Sequence, residues 1–183
     1  MTETIDISEK REPVELYFAK TREGAVIPNK RFEDAGYDIY ACIDEPYKII
    51  RPNETVLIPT GIISAFSPAY YMQLHERGSL GVKGIAVRSG VIDSGYRGEW
   101  MVGVTNHNAL PLIILSGKSG SLDMLYKETN LDSANAVLHP STKAICQAVL
   151  LPVPRAVVTE KTPTEILGMA SERGDGMLGS SGK

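Results

Sequence analysis

Cysteine is scarce in this chain, with two in 183 residues, and aromatic residues make up only 7%. Cys42 and Cys146 are too few and too far apart to suggest a disulfide scaffold, so buried thiols are the simpler expectation. The three histidines, His75, His107 and His139, have no metal-ligand spacing. No apolar run is long enough to span a membrane, and the opening MTETIDISEKREP is too polar for a secretory leader. A soluble cytoplasmic protein is expected (host cytoplasm or nucleus for a viral chain). An excess of basic residues is also absent: 19 Lys and Arg stand against 22 Asp and Glu, a net charge of -3. That balance argues against bulk nucleic-acid binding, yet leaves room for one small cationic pocket.

What is present is a globular composition, 43% apolar and 22% charged, punctuated by 17 glycines and 11 prolines. The length suits one domain over 1–183. VELYFA (14–19), YDIYACI (37–43), TVLIPTGII (55–63), YYMQLH (70–75), WMVGVT (100–105) and ICQAVLLPV (145–153) read as strands. Turn-rich segments such as PNKRFEDAG, EPYK, RPNE and RGSLGVKG separate them. Many short strands without a long helical pattern predict an all-β sandwich or barrel, jelly-roll-like among the options. Residues 107–142 differ: LPLIIL is followed by a polar, helix-tolerant stretch. This reads as an insertion, either a surface excursion or a partner-binding element. The Gly- and Ser-rich end, 171–183, reads as a frayed terminus, or as an arm whose arginine and backbone N–H groups fold over phosphates.

Two segments carry chemistry. In GVIDSGYRGEW (90–100) a strand runs into a tight hairpin and a second strand leaves it, bringing a carboxylate, a ring and backbone donors together. By itself, an aspartate there is also an ordinary turn former. RGSLGVKG (77–84) offers a guanidinium, a hydroxyl and flexible backbone to phosphate oxygens, but its spacing is not that of a Walker loop; a solvated basic turn is the plainer alternative.

AGYDIYA (35–41), RGSLGVKG (77–84), GVIDSGYRGE (90–99), ICQ (145–147) and RGDGMLGSSG (173–182) occur in that order. They resemble the five ordered motifs of the trimeric dUTPases, and the likeness runs from about residue 15 to the end apart from the long excursion. The resemblance implies a distorted jelly-roll β-barrel or sandwich with a mobile C-terminal arm at 171–183. It also implies hydrolysis of dUTP to dUMP and pyrophosphate, and a homotrimer with shared active sites. Asp93 matches the catalytic aspartate that activates the attacking water. Tyr96 matches the ring beneath the deoxyribose, whose bulk excludes a 2′-hydroxyl. Val87, Val91, Ile92 and Met101 fall on the segments flanking the hairpin, with the backbone near Met101 matching the uracil reader. Arg77, Gly78, Ser79 and Gln147 match the phosphate-binding motifs, and Arg173, Leu178, Gly179 and Ser180 the covering arm. Asp38 matches a largely structural position. Mg²⁺ is implied as the cofactor, held mainly by substrate phosphates and water rather than directly by the protein.

The match is broken in places. The second motif runs Arg77-Gly78-Ser79 where Arg-Ser-Gly or Arg-Ser-Ser is usual, which moves the hydroxyl by one residue. Val87 stands where an asparagine is usual, with Arg88 beside it, and Thr142-Lys143-Ala144 replaces Gly-Asp-Arg. Leu178 replaces a uracil-stacking phenylalanine, so either Leu178 or Trp100 is left to cover the base. These departures support an alternative, a dUTPase-like scaffold that binds a protein partner through 107–142. A dCTP deaminase ranks last, because WMVGVTN carries no glutamate beyond Glu99.

Overall fold

The computed structural model describes residues 12–88 and 90–175. Alternation of apolar and polar residues gives strands with one buried face. These are β1 (Leu16–Lys20), β2 (Gly36–Ile39), β3 (Tyr47–Ile50), β4 (Thr55–Pro59), β5 (Ile62–Phe66) and β6 (Tyr70–His75). After a single helical turn, α1 (Gly78–Gly81), come β7 (Ile85–Arg88), β8 (Val91–Asp93), β9 (Met101–Asn106) and β10 (Leu112–Leu115). Helix α2 (Ser121–Glu128), β11 (Val137–His139), β12 (Cys146–Pro152) and α3 (Pro163–Leu167) complete the order.

Among the described residues the strands form a jelly-roll sandwich in four sheets: β2-β12-β6-β8, β4-β9-β7, β11-β10-β3 and β1-β5. Every pairing is antiparallel except β10 with β11. Ile39, Ile58, Ile62, Met72, Trp100 and Val102 lie in the shared core, each at most 1% exposed. Cys42 and Cys146 are both free and buried, and burial pushes the Cys146 thiol up to about 12.

Three sequence expectations change at this level. TVLIPTGII is two strands, because Gly61 takes a left-handed φ of 68° and turns the chain between β4 and β5. The segment 90–105 is no hairpin ladder: β8 pairs with β6, while β9 pairs with β4 and β7, so residues 94–100 cross from one sheet to another. The apolar stretch LPLIIL is β10, a core strand paired with β3, which itself lies partly in the segment read as a turn.

Within 107–142 the architecture is divided. Leu112 and Ile114 of β10 face the main core, whereas Ile113 joins Leu125 of α2 and Ala136 in a second, smaller cluster. Gly120 is the N-cap of helix α2, which has Asp123 in its first turn and Lys127 in its last, both favourable to the helix dipole.

The described residues fall into two compact units, one up to Val153 and the other from Pro154 on. In the second, α3 opens with a capping box: the Thr162 hydroxyl accepts from the Glu165 N–H, and the Glu165 carboxylate accepts from the Thr162 N–H. Beyond it, Ser171 Oγ accepts from the N–H groups of Arg173 and Gly174. Among the described residues no helix is long and apolar enough to cross a membrane.

Candidate functional site

Sheet register brings three of the five motifs together. Asp38 on β2 lies opposite Gln147 on β12, and Gln147 lies opposite His75 at the end of β6. Arg77 follows two residues later, and its Nε sits 3.1 Å from Asp38 Oδ1. Gln147 Nε2 donates to the Glu76 carbonyl at 3.0 Å, which ties β12 to the same corner. Gly36 makes this possible, since a Cβ there would lie 2.6 Å from Gln147 Oε1. The cluster lines an open cleft of about 800 Å³ that also takes in Asn29, Lys30 and Arg31. Lys30 and Arg31 belong to a segment that the sequence marked only as a turn.

The phosphate-type segment itself is a helical turn. The Arg77 carbonyl accepts from the N–H groups of Leu80 and Gly81, and buried Leu80 anchors the turn while Gly78 and Ser79 stay exposed. Ser79 lines a hollow of about 90 Å³ with Arg77, Lys83, His139 and Lys143. Glu76 accepts from the Val87 N–H at 2.9 Å, and that bond holds its carboxyl below the usual range. Val87 therefore serves as a donor to Glu76 through its backbone. Neighbouring Arg88 is directed to Thr105 and His107, at 3.3 Å each.

His139 is held below the ordinary imidazole value of 6.5 chiefly by burial, with the Lys143 carbonyl opposing the shift and Lys143, Arg77 and Lys83 adding to it. The unfolded chain then binds this proton more readily than the folded one. The stabilisation is complete above the unfolded value and is lost as pH falls through the folded one. Urea unfolding followed from about pH 7.5 down to about pH 5 is expected to show falling stability, and His139→Gln to flatten part of that slope.

The third motif lies elsewhere. Asp93 ends β8, exposed and opposite Tyr71. Its carbonyl accepts from the Tyr96 N–H at 3.0 Å to close a turn. Arg97 Nη1 donates to the Ser94 and Tyr96 carbonyls, stiffening that turn from within. Tyr96 is 44% exposed and lies over Gly98, where a Cβ would come within 2.4 Å of its hydroxyl, so a larger residue there would displace the ring. Val91 is exposed, Ile92 is buried in the core, and Met101 opens β9 opposite Pro59.

Trp100 is no candidate to cover a base. It is wholly buried, edge-on to Phe18 at 5.5 Å, and its Nε1 donates to Ser64 Oγ. Leu178, Gly179 and Ser180 lie outside the described residues, while Arg173 lies within them.

Sequence reasoning missed Arg22 and the structural role of Glu99. The Arg22 guanidinium grips the Glu99 carboxylate, at 3.0 Å between Nε and Oε1, across 77 residues of chain. The only local signal was an acidic residue directly after the Tyr-Arg-Gly turn.

A jelly-roll sandwich carrying an exposed turn carboxylate and a separate Asp-Arg-Gln cluster defines the class of protein. The family model of the dUTPases matches residues 22–119. A deoxyuridine 5′-triphosphate nucleotidohydrolase of Methylocella silvestris is 31% identical over 178 residues, covering 93% of each chain. Among solved structures, a mutant dUTPase of Staphylococcus bacteriophage 80alpha with dUpNHpp superposes with a TM-score of 0.65 at 22% identity, over 92% of this chain and 99% of that one. A mutant dUTPase from phage phi11 of S. aureus, described with a structural Mg(II) ion, gives a TM-score of 0.59 at 20% identity over 81% and 99%. The chain belongs to the dUTPase family.

Proposed function

We propose that this chain hydrolyses dUTP to dUMP and pyrophosphate. The observation that carries the reading is Asp93, solvent-exposed at the end of a strand in a turn that the Tyr96 N–H closes and Arg97 stiffens. Asp93 takes a proton from water as that water attacks the α-phosphorus, and the bond to the bridging oxygen breaks to release pyrophosphate. Tyr96 packs beneath the deoxyribose, and the backbone of Val91, Ile92 and Met101 flanks the uracil. Arg77, Gly78, Ser79 and Gln147 face the phosphates, with Arg173, Leu178, Gly179 and Ser180 as the cover.

Mg²⁺ carried by the substrate would supply positive charge to offset the charge that develops on the leaving group. Among the described residues no three His, Cys, Asp or Glu side chains converge as a metal cage.

We infer further that the site is shared in a homotrimer. Along β6, Asp93 is matched to Tyr71 and Gln147 to His75, four residues or roughly 13 Å apart, so one copy holds the two halves at separate places. The described residues of the second unit are all exposed, Val158 at 96%, as suits an arm that lies on a neighbouring copy. Cyclic closure of such heterologous contacts gives a ring.

A second reading has its own observation: α2 leaves Met124 and Tyr126 exposed beyond the smaller cluster, a surface for a protein partner. A deaminase is disfavoured because the Glu99 carboxylate is occupied by Arg22 and the Gly61 N–H.

The deciding experiment offers dUTP, dTTP, dCTP and UTP with Mg²⁺ and reads pyrophosphate and ammonia together. Pyrophosphate from dUTP alone is expected, from a particle three times the chain mass of 19.9 kDa. No release above background leaves the partner-binding reading, and ammonia from dCTP the deaminase.

A further inference from the structure

We propose that Glu99 and Arg22 form a latch that fixes Tyr96, making them positioning residues for the choice of deoxyribose over ribose; this rests on the dUTP reading above. Glu99 is held through both its side chain and its backbone. Its Oε1 accepts from Arg22 Nε at 3.0 Å and from the Gly61 N–H at 2.7 Å. Its Oε2 accepts from Arg22 Nε at 3.2 Å and Nη2 at 3.1 Å. Its carbonyl accepts from the Tyr96 hydroxyl at 3.1 Å. The residue that ties down the ring is therefore itself bolted to the corner between β4 and β5.

That corner is built to receive it. At Gly61 a Cβ would come within 2.7 Å of Ala25 Cβ and 3.2 Å of Arg22 Cβ, so glycine lets Arg22 and the Gly61 N–H converge on one carboxylate. The Gly61 carbonyl accepts from the Thr21 N–H at 2.8 Å, which anchors the residue before Arg22 to the same point. Arg22 Nη1 pairs with Asp44, so the guanidinium has a partner on either side.

Stability alone is a poor account of this arrangement. The pair is partly buried, with side-chain exposures of 30% and 21%, and opens on a cavity of about 1200 Å³. Ion pairs so placed add little net stability but do fix geometry. The geometry fixed here is that of the ring proposed to stand where a 2′-hydroxyl would enter. Steric exclusion is sensitive to small shifts, and a displacement of about 1 Å in a positioning contact can cost about 100-fold.

The test is steady-state kinetics on dUTP and UTP for the wild-type chain, Glu99→Gln, Glu99→Ala, Arg22→Lys and the double variant Arg22→Ala/Glu99→Ala. Thermal melting and amide hydrogen exchange across 94–99 are measured alongside. Glu99→Ala is expected to reduce the dUTP-to-UTP ratio of kcat/KM by about 10- to 100-fold and to speed exchange across the turn. Glu99→Gln and Arg22→Lys fall between it and the wild type, and the double variant is no worse than Glu99→Ala because both changes break one contact. A folded Glu99→Ala with wild-type selectivity and exchange overturns the latch. If Glu99→Ala does not fold, unchanged selectivity and exchange in both Glu99→Gln and Arg22→Lys overturn it equally. A wild-type chain inactive on dUTP sinks the nucleotide reading instead, and exchange across 94–99 still decides whether the latch holds the turn.

Discussion

Asp93→Asn is expected to leave the chain folded and able to hold dUTP while lowering turnover by about 10²- to 10⁴-fold, the usual worth of a positioned general base. The substitution keeps the shape of the side chain and its capacity to hydrogen-bond water, but an amide cannot take the proton. Because Asp93 is exposed at the end of β8, its replacement removes no core contact. The turn that presents it is closed by its own carbonyl and the Tyr96 N–H, a bond the variant retains. Loss of rate with unchanged melting and unchanged affinity for a non-hydrolysable analogue is thus the expected pattern. Near-normal turnover would falsify the role given to this carboxylate.

Trp100→Ala acts in the opposite sense, on stability, and is expected to cost about 3–5 kcal/mol. Its ring is wholly buried against Phe18, and its indole N–H donates to Ser64 Oγ at 3.1 Å. Its backbone is also engaged, with its N–H on the Ile62 carbonyl and its own carbonyl accepting from Thr60 Oγ1. Truncation leaves a cavity beneath the crossing between sheets and a buried hydroxyl without its donor. For a chain of this size the cost corresponds to a fall in Tm of roughly 6–20 °C. Trp100→Phe recovers most of the packing but not the Ser64 bond, so an intermediate Tm is expected. A Tm within a degree or two of wild type for Trp100→Ala would place the indole outside the core.

The alternation in YYMQLH and the apolar run ICQAVLLPV were legible because period-two burial is written in consecutive residues. A strand as short as β11, three residues, carries too little pattern to be told from a loop. Pairing partners were less legible still. GVIDSGYRGEW has the local chemistry of a hairpin, yet β8 finds its partner in β6, about twenty residues upstream, because the core on both sides decides the register. The site divides in the same way. Asp93 and Tyr96 stood out within one short segment. The contacts of Asp38 with Arg77 and of Arg22 with Glu99 join residues far apart in sequence, and only the folded chain brings them within reach.

One strand acts as a wall between two cores. With Leu112 and Ile114 turned to the main interior and Ile113 to the cluster around Leu125, β10 lets the outer module rest on the sandwich without entering it. Changes of length or surface chemistry between β10 and β11 can therefore accumulate without disturbing the segments that carry Asp38, Arg77 and Asp93. The fold sets aside a place where a lineage can acquire new contacts at little risk to its older chemistry.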